Sequence, residues 1–254
     1  MATRALPGRH DDAPAFVLHA YPYKETSLIV EAFARDFGRV GMVAKGARRP
    51  RSELRGLLQA FLPITLSWGG AAELKTLVNA QWRGGVAPPA GRALLSAFYL
   101  NELLLKLLPR EDPHPALWDA YEAAIGALSG ESSPTVQAGV LRRFELTLLA
   151  ELGYAMPLTH AADSGATIDP AARYHYAFDR GAQSVAAEPG VRWPVVRGAT
   201  LLALATAHYP DAETSAEARR LMRDVLDHYL ESRRMESRRI AADLQAFDDN
   251  SQDH

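Results

Sequence analysis

Five basic residues and no acid stand within the fifteen positions of "GRVGMVAKGARRPRS", residues 38–52: Arg39, Lys45, Arg48, Arg49 and Arg51. Arg55 follows closely. The chemistry open to such a run is the binding of polyanions. A guanidinium offers a planar fork of donors that matches phosphate oxygens, and it also stacks on bases. Pro50 sits among the arginines and lacks a backbone N–H, so the segment cannot continue as a ladder strand and is expected to project as a mobile, charged loop. The bland alternative is solvated surface with no ligand. Charge asymmetry favours a ligand: residues 1–83 hold 12 Lys+Arg against 7 Asp+Glu and the remainder 16 against 23, although the whole chain carries only −2. A basic part joined to an acidic part suggests a polyanion-binding module attached to something else. Arg39, Lys45, Arg48, Arg49, Arg51 and Arg55 are therefore the candidate nucleic-acid contacts. Tyr21, Tyr23, Phe37 and Trp68 are candidate stacking aromatics, with ordinary packing as the competing role for each.

Other chemistry is hard to find. The sequence has no phosphate loop, no dinucleotide-binding glycine fingerprint, no H-E-x-x-H and no nucleophile elbow. None of its eight histidines pairs with another at i,i+4. His160, Asp163 and His175 fall short of four converging zinc ligands. The absence of cysteine removes disulfides, thiolate metal sites and thiol nucleophiles together. The reading is of a non-enzyme without cofactor or metal. The longest apolar run, around Leu94–Leu108, is broken by Ser96, Asn101, Glu102 and Lys106 and falls short of the ~20 residues a membrane span requires. No apolar signal segment opens the chain, so a soluble cytoplasmic protein is expected.

The elements that must position the basic loop read as β. Segments 15–23, 27–35, 38–46, 61–68 and 74–82 have the β-branched and aromatic content of strands, separated by polar or glycine-rich turns. Five strands suit a small closed barrel, an OB-fold, better than a sandwich. "RGGVAPPAG", residues 83–91, then ends the β region. Helical patterns follow at 92–108, from Pro115 to Gly130, and at 135–153, where Val136, Val140, Phe144, Leu148 and Leu152 recur at steps of four. Two more are read at 194–208 and 215–230. The fold class is α+β: an OB-fold domain over 1–84, then a helical domain over 85–254 with an irregular insert at 155–191. Within the insert "YHYAF" and "QSVAA" suggest a small hairpin. Ser232-Arg233-Arg234 and Ser237-Arg238-Arg239 near the end read either as helix-end cations or as a second DNA surface.

The stretch "PAFVLHAYPYKETSLIVEAFARDFGRVGMVAKGARRPRS" resembles the bacterial recombination-mediator family RecO. The likeness continues through "LLQAFLPITLSWGGAAELKTL", "YLNELLLKLLPREDPHPALWDAYEAAIGAL" and "LRRFELTLLAELGYAMPLTHAADSG" to "YPDAETSAEARRLMRDVLDHYL". The resemblance implies an N-terminal OB-fold, a helical C-terminal domain and a non-catalytic role in DNA repair and recombination. Such proteins bind single- and double-stranded DNA, anneal complementary strands and, with RecR, help load RecA onto DNA coated by single-strand-binding protein (SSB). The setting is cytoplasmic and nucleoid-associated. Many members carry a cysteine zinc motif in the insert; "LTHAADSG" has no cysteine, so no zinc site is carried over, and the insert must be held by packing or be loosely ordered. The family also recognises the acidic C-terminal tail of SSB. Here the matching helix places Arg142 and Arg143 to receive a terminal carboxylate and Phe144 and Leu148 to line an apolar slot, although the last two fit a core stripe equally well. The main alternative is an RNA-binding OB-fold protein, which would share the basic loop.

Overall fold

The computed structural model describes residues 8–85, 87–130, 133–184, 192–230 and 235–241. They form two compact units: one extends to Gly130 and takes the chain back at Met235, and the other lies between those points. Ser232-Arg233-Arg234 lies outside the described residues.

The first unit is built on strands β1 (His10–Tyr23), β2 (Ser27–Ala34) and β3 (Gly38–Ala44), a short helix α1 (Leu54–Leu57), and strands β4 (Ile64–Gly69) and β5 (Lys75–Trp82). They close into a barrel in the order β1-β2-β3-β5-β4, with β3 and β5 parallel and the other pairs antiparallel. This is the expected OB-fold. Period-two alternation fills the interior: Val30, Ala32 and Ala34 from β2 face Val40, Met42 and Ala44 from β3. Small alanines suit so tight a closure. β1 begins earlier than its apolar run suggests, because His10 and Ala13–Ala15 pair with β4.

One irregularity in β1 decides what the barrel shows to solvent. Val17 pairs with Ala32 but His19 pairs with Glu31, leaving Leu18 as an extra residue. Before this bulge Ala13, Ala15 and Val17 point inward; after it Ala20 packs against the interior. The parity has flipped, so His19, Tyr21 and Tyr23 point outward. Asn101 Nδ2 donates to the carbonyl of the bulged Leu18 at 2.8 Å, satisfying a group that the disturbed ladder leaves behind.

Asn101 belongs to helix α2 (Gly91–Leu107), which with α3 (Pro115–Ser129) completes this unit. The last barrel strand ends at Trp82, yet the compact unit runs on because Phe16 and Phe33 face outward and need cover. Phe16 lies 5.6 Å from the Trp118 ring and 5.2 Å from that of Tyr121. Trp118 Nε1 donates to the Phe33 carbonyl at 3.1 Å, and the Tyr121 hydroxyl donates to Asn101 Oδ1.

The returning segment is pinned by one carboxylate. Glu102 on α2 accepts from the backbone N–H of Glu236 (2.8 Å) and Ser237 (2.9 Å), from Ser237 Oγ (2.6 Å) and from Lys106 Nζ (2.9 Å). Burial alone would raise its pKa; the hydrogen bonds, Ser237's foremost, outweigh burial and hold it below the ordinary glutamate value. A carboxyl depressed in the folded state stabilises above its unfolded pKa of about 4.3, and that contribution disappears as pH falls through the folded value. The melting-temperature gap between wild type and Glu102→Gln is therefore expected to be full near neutrality and to close below about pH 4. A gap independent of pH would contradict this account.

The second unit contains α4 (Pro134–Glu151), strands β6 (Arg173–Ala177), β7 (Gly181–Gln183) and β8 (Val195–Arg197), and helices α5 (Gly198–Thr206) and α6 (Ala212–Tyr229). Of the hairpin read from "YHYAF" and "QSVAA", β6 takes the first segment with Ala177 opposite Gly181, while β7 shares only Gln183 with the second, whose residues 185–187 lie outside the described residues. A third strand, β8, pairs on the other side of β6 where the sequence suggested helix from 194. The correction has a local cause. A Cβ at Gly198 would lie 1.9 Å from the Asp169 carbonyl oxygen, so glycine makes the strand-to-helix corner, and α5 starts there.

The α4 stripe also shifts. A step of four residues overshoots a 3.6-residue turn by about 40°, so five residues so spaced cannot share one face. Val136 is 52% exposed, while Arg142, Phe144, Glu145, Leu148 and Leu149 are buried.

Candidate nucleic-acid interface

The basic segment leaves β3 at Ala44 and folds back on itself. Gly46 takes a positive φ of 72°, which a turn here requires. Ala47, fully buried in the barrel interior, anchors the loop. Backbone hydrogen bonds from Arg49 to Gly46 (3.1 Å) and from Ser52 to Arg49 (3.0 Å) shape it. The loop expected to project freely is thus tied down, and Arg48 ties it twice. Its backbone N–H donates to Thr26 O at 2.9 Å, and its Nη1 donates to Lys24 O (3.4 Å) and Glu25 O (3.3 Å). Those carbonyls belong to the turn between β1 and β2, so the basic loop and the hairpin tip are joined at one end of the barrel.

Lys45, Arg49, Arg51 and Arg55 are exposed, and among the described residues none of them forms an ion pair. Lys45, Arg49 and Arg51 on the anchored loop and Arg55 on α1 just after it form a cluster of exposed cations, with Glu25 and Glu53 as exposed acids at the same turns. Such a cluster is suited to binding phosphates. Arg39 is placed differently. Its side chain is 18% exposed, its Nη1 donates to Leu105 O at 3.0 Å in the last turn of α2, and it lies 3.9 Å from Glu31. Burial pulls its pKa down while Glu31 opposes that. Arg39 therefore satisfies a helix-end carbonyl rather than joining the loop.

Next to it Arg110 pairs with Glu31 and Glu73, and Lys75 Nζ lies 2.6 Å from Glu111. Gly41 leaves room for the Arg110 guanidinium: a Cβ there would come within 3.1 Å of its Cζ. Nothing in the spacing of Arg110 announced this role. The four candidate aromatics also separate. Trp68 is 1% exposed and meets Phe37 edge-on at 5.1 Å, with the His10 ring 4.5 Å from Phe37. Tyr21 is exposed and Tyr23 half-buried on the outer face of β1.

In the second unit the four residues read as a carboxylate pocket also part company. Phe144 and Leu148 are core residues, and Arg142 is buried in an ion pair with Glu145. Arg143 alone is exposed. The nearby Tyr209 hydroxyl is buried with no hydrogen-bond partner among the described residues; burial pushes its pKa up to about 12, with Arg142 and Arg143 opposing and Glu145 adding to the rise.

Within the described part of the cysteine-free insert, 155–184, hydrogen bonds tie the chain together. Ala161 donates to Ala166 O (2.8 Å), Gly165 to Ala161 O (2.8 Å) and Ala162 to Ala182 O (2.7 Å), while Asp163 receives Ser184 N–H at 2.8 Å. Among the described residues no group of three or more His, Cys, Asp or Glu side chains is arranged to hold a metal, and no helix is long and apolar enough to cross a membrane.

Comparison with known proteins decides the family. The model of the recombination protein O N terminus matches residues 11–85, and that of its C terminus matches residues 89–239. The chain belongs to the RecO family. It is 48% identical over 239 residues to the DNA repair protein RecO of Aromatoleum aromaticum, covering 93% of this chain and 97% of that one. It is 45% identical to RecO of Dechloromonas aromatica, with 94% and 98% covered, and 47% identical to that of Cupriavidus pinatubonensis, with 96% and 84% covered. RecO membership gives the chain a role in DNA repair and recombination, and the OB barrel with its helical continuation is the architecture that the resemblance implied.

Proposed function

We propose that the chain is a non-catalytic recombination mediator that binds single- and double-stranded DNA through the loop end of its barrel, anneals complementary strands and, with RecR, helps load RecA onto SSB-coated single strands. It works in the cytoplasm at the nucleoid. The observation that carries this reading is the set of four exposed cations without ion pairs, Lys45, Arg49 and Arg51 on a loop tied to the barrel and Arg55 on the short helix α1 that follows it. Annealing needs two strands held close while their repulsion is neutralised. Cations do this by releasing counterions, without reading bases and without nucleotide hydrolysis. Arg48 and Arg39 act here as positioning residues.

Arg143 is the contact for the acidic SSB tail, because it is the exposed cation among the four pocket candidates; Arg142 holds Glu145, and Phe144 and Leu148 hold the helix. Arg143→Ala is expected to weaken binding of a peptide ending in that tail by about tenfold, the loss of one charge-assisted pair, with melting unchanged. Unchanged peptide affinity would remove Arg143 from the account.

The mediator reading is tested by following the pairing of two complementary labelled DNA strands by energy transfer, with RNA strands of the same sequence in parallel. Acceleration of DNA pairing that fades with added salt supports it. No acceleration, or a clear preference for RNA strands, contradicts it.

A further inference from the structure

We propose that the outer face of the β1–β2 hairpin, carrying Tyr21 and Tyr23, is a base-stacking platform that makes this end of the barrel prefer single-stranded DNA over duplex. The inference rests on the phosphate-binding reading of the basic loop and adds where the bases go.

Several observations converge on it. The bulge after Val17 turns His19, Tyr21 and Tyr23 out of the barrel, where unbroken alternation would bury them. Tyr21 is 39% exposed, and its ring lies 5.8 Å from the exposed His19 ring. Across the sheet Tyr21 pairs with Ile29, and Ile29 with Val43, so an apolar row lies beside the ring instead of a charge. At the hairpin tip Lys24 Nζ stands 5.3 Å from the centre of the Tyr23 ring. Arg48 then joins this tip to the basic loop through the Lys24 and Glu25 carbonyls. Aromatic faces and unpaired cations are thereby joined at one end of the barrel. Glu25 and Glu53 are exposed acids at the same turns, so the cation excess there is partial rather than absolute.

A strand whose phosphates follow Lys45, Arg49 and Arg51 presents unstacked bases to the hairpin face. Base faces stack on tyrosine without regard to sequence. In a duplex those faces are already occupied by neighbouring bases, so it can use only the cations. The platform therefore adds affinity for single strands alone.

The test measures anisotropy of a labelled strand in three forms: single-stranded, annealed to its complement, and as an abasic strand with the same phosphates. Tyr21→Ala with Tyr23→Ala is expected to weaken single-strand binding by about tenfold while leaving the duplex and the abasic strand within about twofold. Tyr21→Phe with Tyr23→Phe should restore the wild-type value, since the ring is what stacks. Equal losses on all three ligands, or an unchanged single-strand affinity, would overturn the proposal. Failure of the wild-type protein to bind even the abasic strand in a salt-dependent way would instead sink the basic-loop reading, and this one with it.

Discussion

Arg142→Ala is expected to destabilise the second unit by about 3–5 kcal/mol, because it strands a buried charge. Arg142 is 7% exposed and pairs with Glu145, which is fully buried. Removing the guanidinium deprives the carboxylate of this countercharge in a low-dielectric interior, which favours its protonation or the entry of water. Replacing both residues with apolar ones of similar size should recover most of the loss, as Arg142→Met with Glu145→Leu would show. Urea unfolding is the measurement. The neighbouring Arg143→Ala, at an exposed position, should stay within about 0.5 kcal/mol of wild type. If Arg142→Ala unfolded like wild type, the pair would be ornamental and Arg142 would return beside Arg143 as a candidate for carboxylate binding.

Trp118→Ala should cost the first unit a similar amount, about 3–5 kcal/mol. The indole is 2% exposed, packs on Phe16 and donates to the Phe33 carbonyl. Its loss opens a cavity between α3 and the barrel wall and leaves that carbonyl unsatisfied. Trp118→Phe keeps most of the packing and loses the donor, so it should cost about 1–3 kcal/mol. Denaturant midpoints of the two variants separate the contributions. Because the loop's hydrogen bonds run to Gly46, Thr26 and the Lys24 turn, DNA affinity per folded molecule should be unaffected. A wild-type midpoint for Trp118→Ala would mean that α3 does not hold the barrel.

The contrast between adjacent arginines shows where sequence reading stops. Arg142 and Arg143 are equally basic on paper, but successive helix residues lie about 100° apart, so one faces the interior and the other solvent. A strict four-residue repeat hid which face that was. Arg39 misleads for a similar reason: it shares the composition of the loop cations, yet its neighbour at the C-terminal end of α2 is 66 residues away in sequence. The barrel, by comparison, was legible because period-two alternation within each strand is local. The bulge was not legible: one extra residue leaves composition unchanged while reversing every side chain after it. β8 was missed because three residues carry no period, and its partner lies on β6. Arg48 was legible as a cation, but its part in joining loop to hairpin depends on the carbonyls of Lys24 and Glu25.

The central claim is that the anchored loop grips phosphates, and the most direct measurement is single-strand affinity across a salt series. Wild type should be compared with a variant carrying Lys45→Ala, Arg49→Ala and Arg51→Ala, which spares the positioning Arg48. Each lost phosphate contact on a single strand reduces the slope of log K against log salt by about 0.7, so three should flatten it by about 2 and weaken binding most at low salt. The account predicts that shallower line. Two superimposed lines of equal affinity would show that these cations touch no phosphate.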